Sequence, residues 1–125
     1  MAELTISPEQ IAAYRQSAER LREQDRAAEM IRREEAWRLA RMAADILKER
    51  FHAARVVVFG SLVSERSFTA WSDVDIAAWG ISPLDTFRAI GAVMDLSSAP
   101  LVNLVDITSC TPSLLGVIER DGVEL

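Results

Sequence analysis

The chain has 125 residues, half of them apolar and 26% charged, with a formal net charge of −5; it is long enough for one domain with a modest core and too apolar for a disordered chain. The acidic balance gives no electrostatic reason for broad contact with nucleic acid, and no stretch has the make-up of a signal peptide or the length of a bilayer span. A single cysteine, Cys110, leaves no pair for an internal disulfide, which fits a reducing cytoplasm, and with no activating neighbour in view it reads as inert.

Charge splits the chain. Residues 1–52 carry ten basic and ten acidic side chains, residues 53–125 four and nine. No glycine or proline occurs between Pro8 and Gly60. Ser7 is a good N-cap, Pro8 suits the first helical position and Glu9 suits the positive end of the dipole. Helix is therefore expected from near Pro8 to about Phe51, with His52 at its end, where a cation complements the dipole. Its halves differ. From Ala36 on, Trp37, Ala40, Ala43, Ala44, Leu47 and Phe51 recur at three- and four-residue steps, the stripe of a helix packed on a sheet. Before Ala36 the stripe thins to Ile11, Tyr14, Ala18, Leu21, Ala28 and Ile31, with Glu29 to Arg33 and Glu34 to Arg38 as i, i+4 pairs. Residues 1–35 read as a helical arm that lies on the domain, docks to another chain or is simply solvated; residues 36–125 read as the folded domain.

Three strands follow in expectation: Arg55 to Phe59, Asp73 to Trp79 and Leu101 to Ile107. Ser82-Pro83 reads as the cap of a helix over roughly Leu84 to Leu96, and Thr111-Pro112 as the cap of another that ends at Gly122, a natural C′ residue. Val123 to Leu125 reads as a short closing strand. Alternating helices and strands argue for an α/β or α+β sheet domain.

The chemistry concentrates in two places. The apolar run Val56 to Phe59 ends in Gly60-Ser61, and eleven residues separate Ser61 from Asp73-Val74-Asp75-Ile76. Residues i and i+2 of a strand share a face, so Asp73 and Asp75 stand side by side. Two adjacent carboxylates repel one another, and a cation is the usual remedy. Hard oxygen ligands suit Mg²⁺, which commonly takes one or two protein carboxylates together with nucleotide phosphates. A glycine at the strand end lets the backbone approach a phosphate, and the Ser61 hydroxyl and nearby N–H groups can hydrogen-bond its oxygens. Leu62 and Val63 are expected to open a helix whose N-terminus adds to that attraction. The pattern points to metal-assisted nucleotidyl transfer. Nearby, Arg66 reads as a solvated cation within reach of a phosphate, Trp71 either stacks on a base or packs on the helix, and Trp79 belongs to the core or the sheet edge.

Phe59-Gly60-Ser61 with Ser72-Asp73-Val74-Asp75-Ile76 resembles the Gly-Ser…Asp-x-Asp signature of the DNA polymerase β-like nucleotidyltransferase superfamily, and the short length resembles its minimal members. The likeness runs from about Ala36 to Leu125 and includes Ile118-Glu119-Arg120-Asp121-Gly122-Val123. It implies a mixed sheet flanked by helices, ATP as donor, Mg²⁺ as metal, and Gly60, Ser61, Asp73 and Asp75 as site residues. Many minimal members look like antitoxins paired with an all-helical HEPN ribonuclease toxin, to a tyrosine of which they transfer AMP. The family's third carboxylate comes from a run like Val-Asp-Leu-Val-Asp. Here that run is Val102-Asn103-Leu104-Val105-Asp106. Either Asn103 replaces the acid, or Asp106 supplies it through a bulge as a third catalytic and metal-binding carboxylate; three residues apart on a regular strand, the two point to opposite faces. Leu62 stands where relatives often carry Arg. The implied function is Mg²⁺-dependent transfer of AMP from ATP to a partner toxin's hydroxyl. The alternatives are an antitoxin that masks its toxin by contact alone, and a nucleotide-binding domain with no toxin.

Overall fold

The computed structural model describes residues 5–125, so the first four residues of the expected arm lie outside it. The long helix forms without a break: α1 runs Pro8–Phe51. Its start is a reciprocal cap, in which the Gln10 N–H donates to Ser7 Oγ (3.1 Å) and the Ser7 N–H to Gln10 Oε1 (2.8 Å). Its end is made by backbone. His52 adopts the left-handed region at φ 59°, and the Ala53 N–H returns to the Leu47 carbonyl at 3.0 Å, satisfying an orphan acceptor of the last turn.

After α1 come β1 (Arg55–Phe59), β2 (Val74–Trp79), α2 (Thr86–Met94), β3 (Val102–Asp106), α3 (Pro112–Asp121) and β4 (Val123–Glu124). The result is the expected mixed α+β architecture, with the sheet in the order β3-β2-β1-β4. β1 is antiparallel to both β2 and β4, and β3 is parallel to β2. The parallel pair needs a crossover, and α2 supplies it.

Side chains alternate across the sheet with period two. Val56, Val58, Val74, Ile76, Ala78 and Val102 face α1 and α2, meeting Leu39, Ala43, Leu47, Ala89 and Val93. Val57, Phe59 and Ala77 face the other way, toward Ile118 of α3. The apolar stripe predicted from Ala36 onward is the buried one: Ala36, Ala40, Ala43 and Leu47 are fully enclosed. From Pro8 to Ala28 every residue but Ala18 is exposed, so the arm is not folded back onto the domain. Polar anchoring of α1 nevertheless starts before Ala36, at Glu29, Arg32 and Arg33, which bond to the loop after β1.

Two of three local expectations change. Ser82-Pro83 opens a turn, not the helix: the Ser82 carbonyl accepts from the Asp85 N–H (2.9 Å) and the Thr86 hydroxyl (3.2 Å), and α2 begins only at Thr86. Thr111 does cap α3, its hydroxyl accepting from the Leu114 N–H at 3.2 Å. Gly122 ends α3 in extended backbone at φ −69°, not in the left-handed region. Glycine is needed there for space, since a Cβ would collide with Val57 Cγ1 and the Ile118 carbonyl.

Candidate functional site

Strand register builds the site. In the antiparallel pair Phe59, the last residue of β1, lies opposite Asp75; in the parallel pair Asp75 lies opposite Asn103. The end of β1 and the beginnings of β2 and β3 thus meet at one sheet edge, and Asp75 and Asn103 share the face that carries Phe59 and Ala77.

At this edge Gly60 leaves β1 with φ +78°, a conformation that costs little only for glycine. A Cβ on Gly60 would stand 2.6 Å from Asp75 Oδ2. The missing side chain is therefore what lets the carboxylate lie against the backbone. Gly60–Leu62 form a single 3₁₀ turn, and the helix expected to open at Leu62-Val63 does not follow. Serine chemistry ends it: the Ser64 hydroxyl donates to the Ser61 carbonyl (3.1 Å) and accepts from the Arg66 N–H (3.2 Å), a local alternative to helical bonding.

The chain then crosses under α1 and returns to β2. Phe68 is buried at 1% exposure. Thr69 and Ser72 close a turn, the Thr69 N–H donating to Ser72 Oγ (3.0 Å) and the Ser72 N–H to the Thr69 carbonyl (3.1 Å). Trp71 sits on this turn at 91% exposure, packed on nothing. Asp73 comes just before β2, and the bond it accepts from Asn103, which lies opposite Asp75, places it on the side of Asp75.

Asn103 joins the acids, its amide nitrogen donating to Asp73 Oδ2 at 3.3 Å. Burial holds the Asp75 carboxyl above its ordinary pKa, and the charge of Asp73 pushes the same way, while the Asn103 amide works against both. Asp75 lines an open cleft of about 570 Å³ with Gly60, Ser61 and Arg66 on one side and Val117 and Asp121 of α3 on the other. Asp121 pairs with Arg120 at 3.2 Å.

Asp106 is not part of this group. It lies opposite Ala78, three residues along the strand from the Asp75–Asn103 pair and on the opposite face. No bulge brings it back. Its carboxylate accepts from the Thr108 N–H (3.0 Å), the Thr108 hydroxyl (2.7 Å) and the Ser109 hydroxyl (3.1 Å), capping the 3₁₀ turn Ile107–Ser109. Those donors hold its pKa below the ordinary value. The residue beside the acid pair is Asn103.

Among the described residues no three Asp, Glu, His or Cys side chains converge. The donor set is two carboxylates next to a serine turn. It consists of hard oxygens and leaves most coordination positions to water or substrate, which fits Mg²⁺ better than a metal held by a protein cage. Sequence reasoning missed the anchoring role of Phe68, although an aromatic residue in a polar loop is the signal that marks it. It also missed Asp121, which only the packing of α3 brings to the cleft.

Fold and site together define a mixed α+β domain with paired acids at a glycine-serine turn. Compared with protein-family models and with curated proteins, the chain matches none. Among the described residues no helix is long and apolar enough to cross a membrane.

Proposed function

We propose that this chain is a minimal-type nucleotidyltransferase that transfers AMP from ATP to a hydroxyl of a partner protein. The partner is a ribonuclease toxin of the HEPN class, the acceptor a tyrosine, and the setting the cytoplasm. The observation that carries the reading is the Asp75 carboxylate lying against the bare backbone of Gly60, with Asp73 on the same face. A carboxyl half-buried beside a second acid is an unfavourable arrangement for a resting protein; it makes sense where a cation and phosphates complete it.

On this reading the triphosphate enters the open cleft, where Ser61 and the N–H groups after Gly60 offer donors and Arg66 a positive charge. Asp73 and Asp75 would hold Mg²⁺, which when bound neutralises charge on the phosphates and stabilises the departing pyrophosphate. The acceptor oxygen bonds to the α-phosphorus as the bond to the pyrophosphate oxygen breaks. The acceptor on this reading belongs to the partner, and the exposed stretch 8–28 of α1 offers that partner a surface. The acidic net charge of −5 also speaks against a nucleic-acid acceptor.

One observation favours a second reading. Asn103 occupies the register position beside Asp75 where a third acid would stand, and an amide cannot serve as a base. An antitoxin that masks its partner through the exposed stretch of α1 needs no such base. Co-expression with the partner and mass spectrometry separates the two. Added AMP that disappears in Asp73→Ala and Asp75→Ala supports transfer, whereas an inhibited but unmodified partner supports masking. Failure of the chain to take up ATP with Mg²⁺, with the partner present, overturns the transfer reading.

A further inference from the structure

The loop that forms one wall of the cleft is held from outside the cleft, by α1. Arg33 is the centre of the hold. Its guanidinium donates to the Leu62 carbonyl at 3.1 Å and to the Arg66 carbonyl, and its Nε donates to Glu29 Oε1 at 3.2 Å. Glu29 Oε1 in turn accepts the Phe68 N–H at 3.0 Å. Arg32 adds a bond from its Nε to the Phe68 carbonyl at 3.0 Å. Three successive anchor points of the loop, at Leu62, Arg66 and Phe68, are therefore fixed by two adjacent turns of one helix.

Past the 3₁₀ turn the loop has no regular secondary structure until β2; Leu62 and Phe68 are its buried apolar anchors, and its other bonds, through Ser64, are internal. Its backbone carbonyls point to α1 while its other side carries Ser61 and Arg66 into the cleft. A planar guanidinium with donors in a fixed fork can span two carbonyls at once, which an ammonium on a flexible stem cannot reproduce. We infer that Arg33 and Glu29 are positioning residues that set the phosphate-facing loop Gly60–Phe68 in its nucleotide-receiving form; this rests on the nucleotide reading above. A loop released from the clamp samples other forms. If the competent fraction falls to about a tenth, the apparent dissociation constant rises about tenfold.

The test uses the full chain with Mg²⁺ and a non-hydrolysable ATP analogue. Titration calorimetry gives affinity, and amide hydrogen exchange gives the order of residues 62–68. Arg33→Ala is expected to speed exchange across 62–68 while the sheet stays protected, and to weaken analogue binding about tenfold. Glu29→Ala is expected to do the same on a smaller scale, and Glu29→Gln to restore binding to within about twofold, because an amide oxygen still accepts the Phe68 N–H. Unchanged exchange overturns the inference. Faster exchange with unchanged affinity overturns it as well, since the clamp would then serve stability alone. A wild-type chain that fails to bind the analogue removes the nucleotide reading, and the inference falls with it; a wild-type chain that binds while Arg33→Ala binds equally well removes only the inference.

Discussion

Gly60→Ala tests the site at its narrowest point. Two separate penalties follow from the geometry. The backbone at φ +78° is one that an L side chain adopts at a cost of about 1–2 kcal/mol. The new methyl would also meet Asp75 Oδ2 at 2.6 Å, so the carboxylate must turn away. Asp75 Cβ and Cγ stand at 3.5 Å, ordinary contact, so the side chain can yield by rotation, at about 0.5–1.5 kcal/mol for leaving its rotamer. The sum is about 1.5–3.5 kcal/mol, and a fall in Tm of about 10 °C for a domain of this size. The two penalties separate in a double-mutant cycle. In an Asp75→Ala background the clash is gone and only the backbone term remains, so Gly60→Ala should cost about 1 kcal/mol less there. Urea denaturation of the four proteins measures this directly. Equal costs in both backgrounds would refute the claim that the glycine is there to admit the carboxylate. A cost under about 0.5 kcal/mol in the wild-type background would refute the backbone strain as well.

Asp75→Asn is expected to abolish ATP-dependent modification and leave the fold intact, with a pH signature. Burial first, and then Asp73, hold the folded-state pKa of Asp75 above its ordinary value of 3.8, so the folded chain binds that proton more tightly than the unfolded one. This contribution destabilises the wild type as pH rises through the raised value and vanishes toward pH 3.8. Melting curves should show the variant the more stable at neutral pH, with the gap closing in acid. Asn103→Asp puts a third carboxylate beside the pair; the metal-free Tm should fall through added repulsion, Mg²⁺ should restore more of it than in the wild type, and a partner modified more by Asn103→Asp than by wild type would favour transfer over masking. Asp106→Ala removes the cap of Ile107–Ser109 and should lower stability by about 1 kcal/mol, while calorimetry shows nucleotide affinity unchanged; lost affinity would place Asp106 in the site after all.

Much of the scaffold was readable because local signals agreed with the packing. Ser7, Pro8 and the absence of glycine mark α1, and the apolar run Val56 to Phe59 places the expected strand Arg55 to Phe59, which is β1 to the residue. The alternation that puts Asp75 on the cleft face also puts Ile76 in the core, so a one-residue slip would have to bury the acid. What escaped was long-range. Whether Asn103 or Asp106 stands by Asp75 depends on a parallel register that no short stretch encodes. Helix after Gly60-Ser61 looked natural from Leu62-Val63, but Ser64 bonds back to Ser61 and the loop is tied to α1 instead. The arm boundary at Ala36 marks where apolar burial begins; Glu29 to Arg33 looked like a solvated ion pair because its true partners, the carbonyls and N–H of the loop, leave no trace in side-chain patterning.

Asn103 bears on more than metal affinity. If Asp73 and Asp75 hold a cation, as the proposed reading has it, the other carboxylates lining the cleft are Glu65 and Asp121, the latter paired with Arg120, and the Asn103 amide accepts no proton. On that reading no side chain of β3 takes the acceptor's proton, since Asp106 lies on the opposite face; it passes to Glu65 or Asp121 on the cleft, to a phosphate oxygen, to solvent or to a group on the partner. A phenol, with a pKa near 10, gives up its proton far more readily than a serine or threonine hydroxyl, so a site built this way discriminates among acceptors by their own acidity. The amide at position 103 also softens the resting state. A third carboxylate at position 103 would face Asp75, whose pKa burial already raises, whereas the amide donates to Asp73. With the amide at this position, two acids and a donor hold together before any ligand arrives.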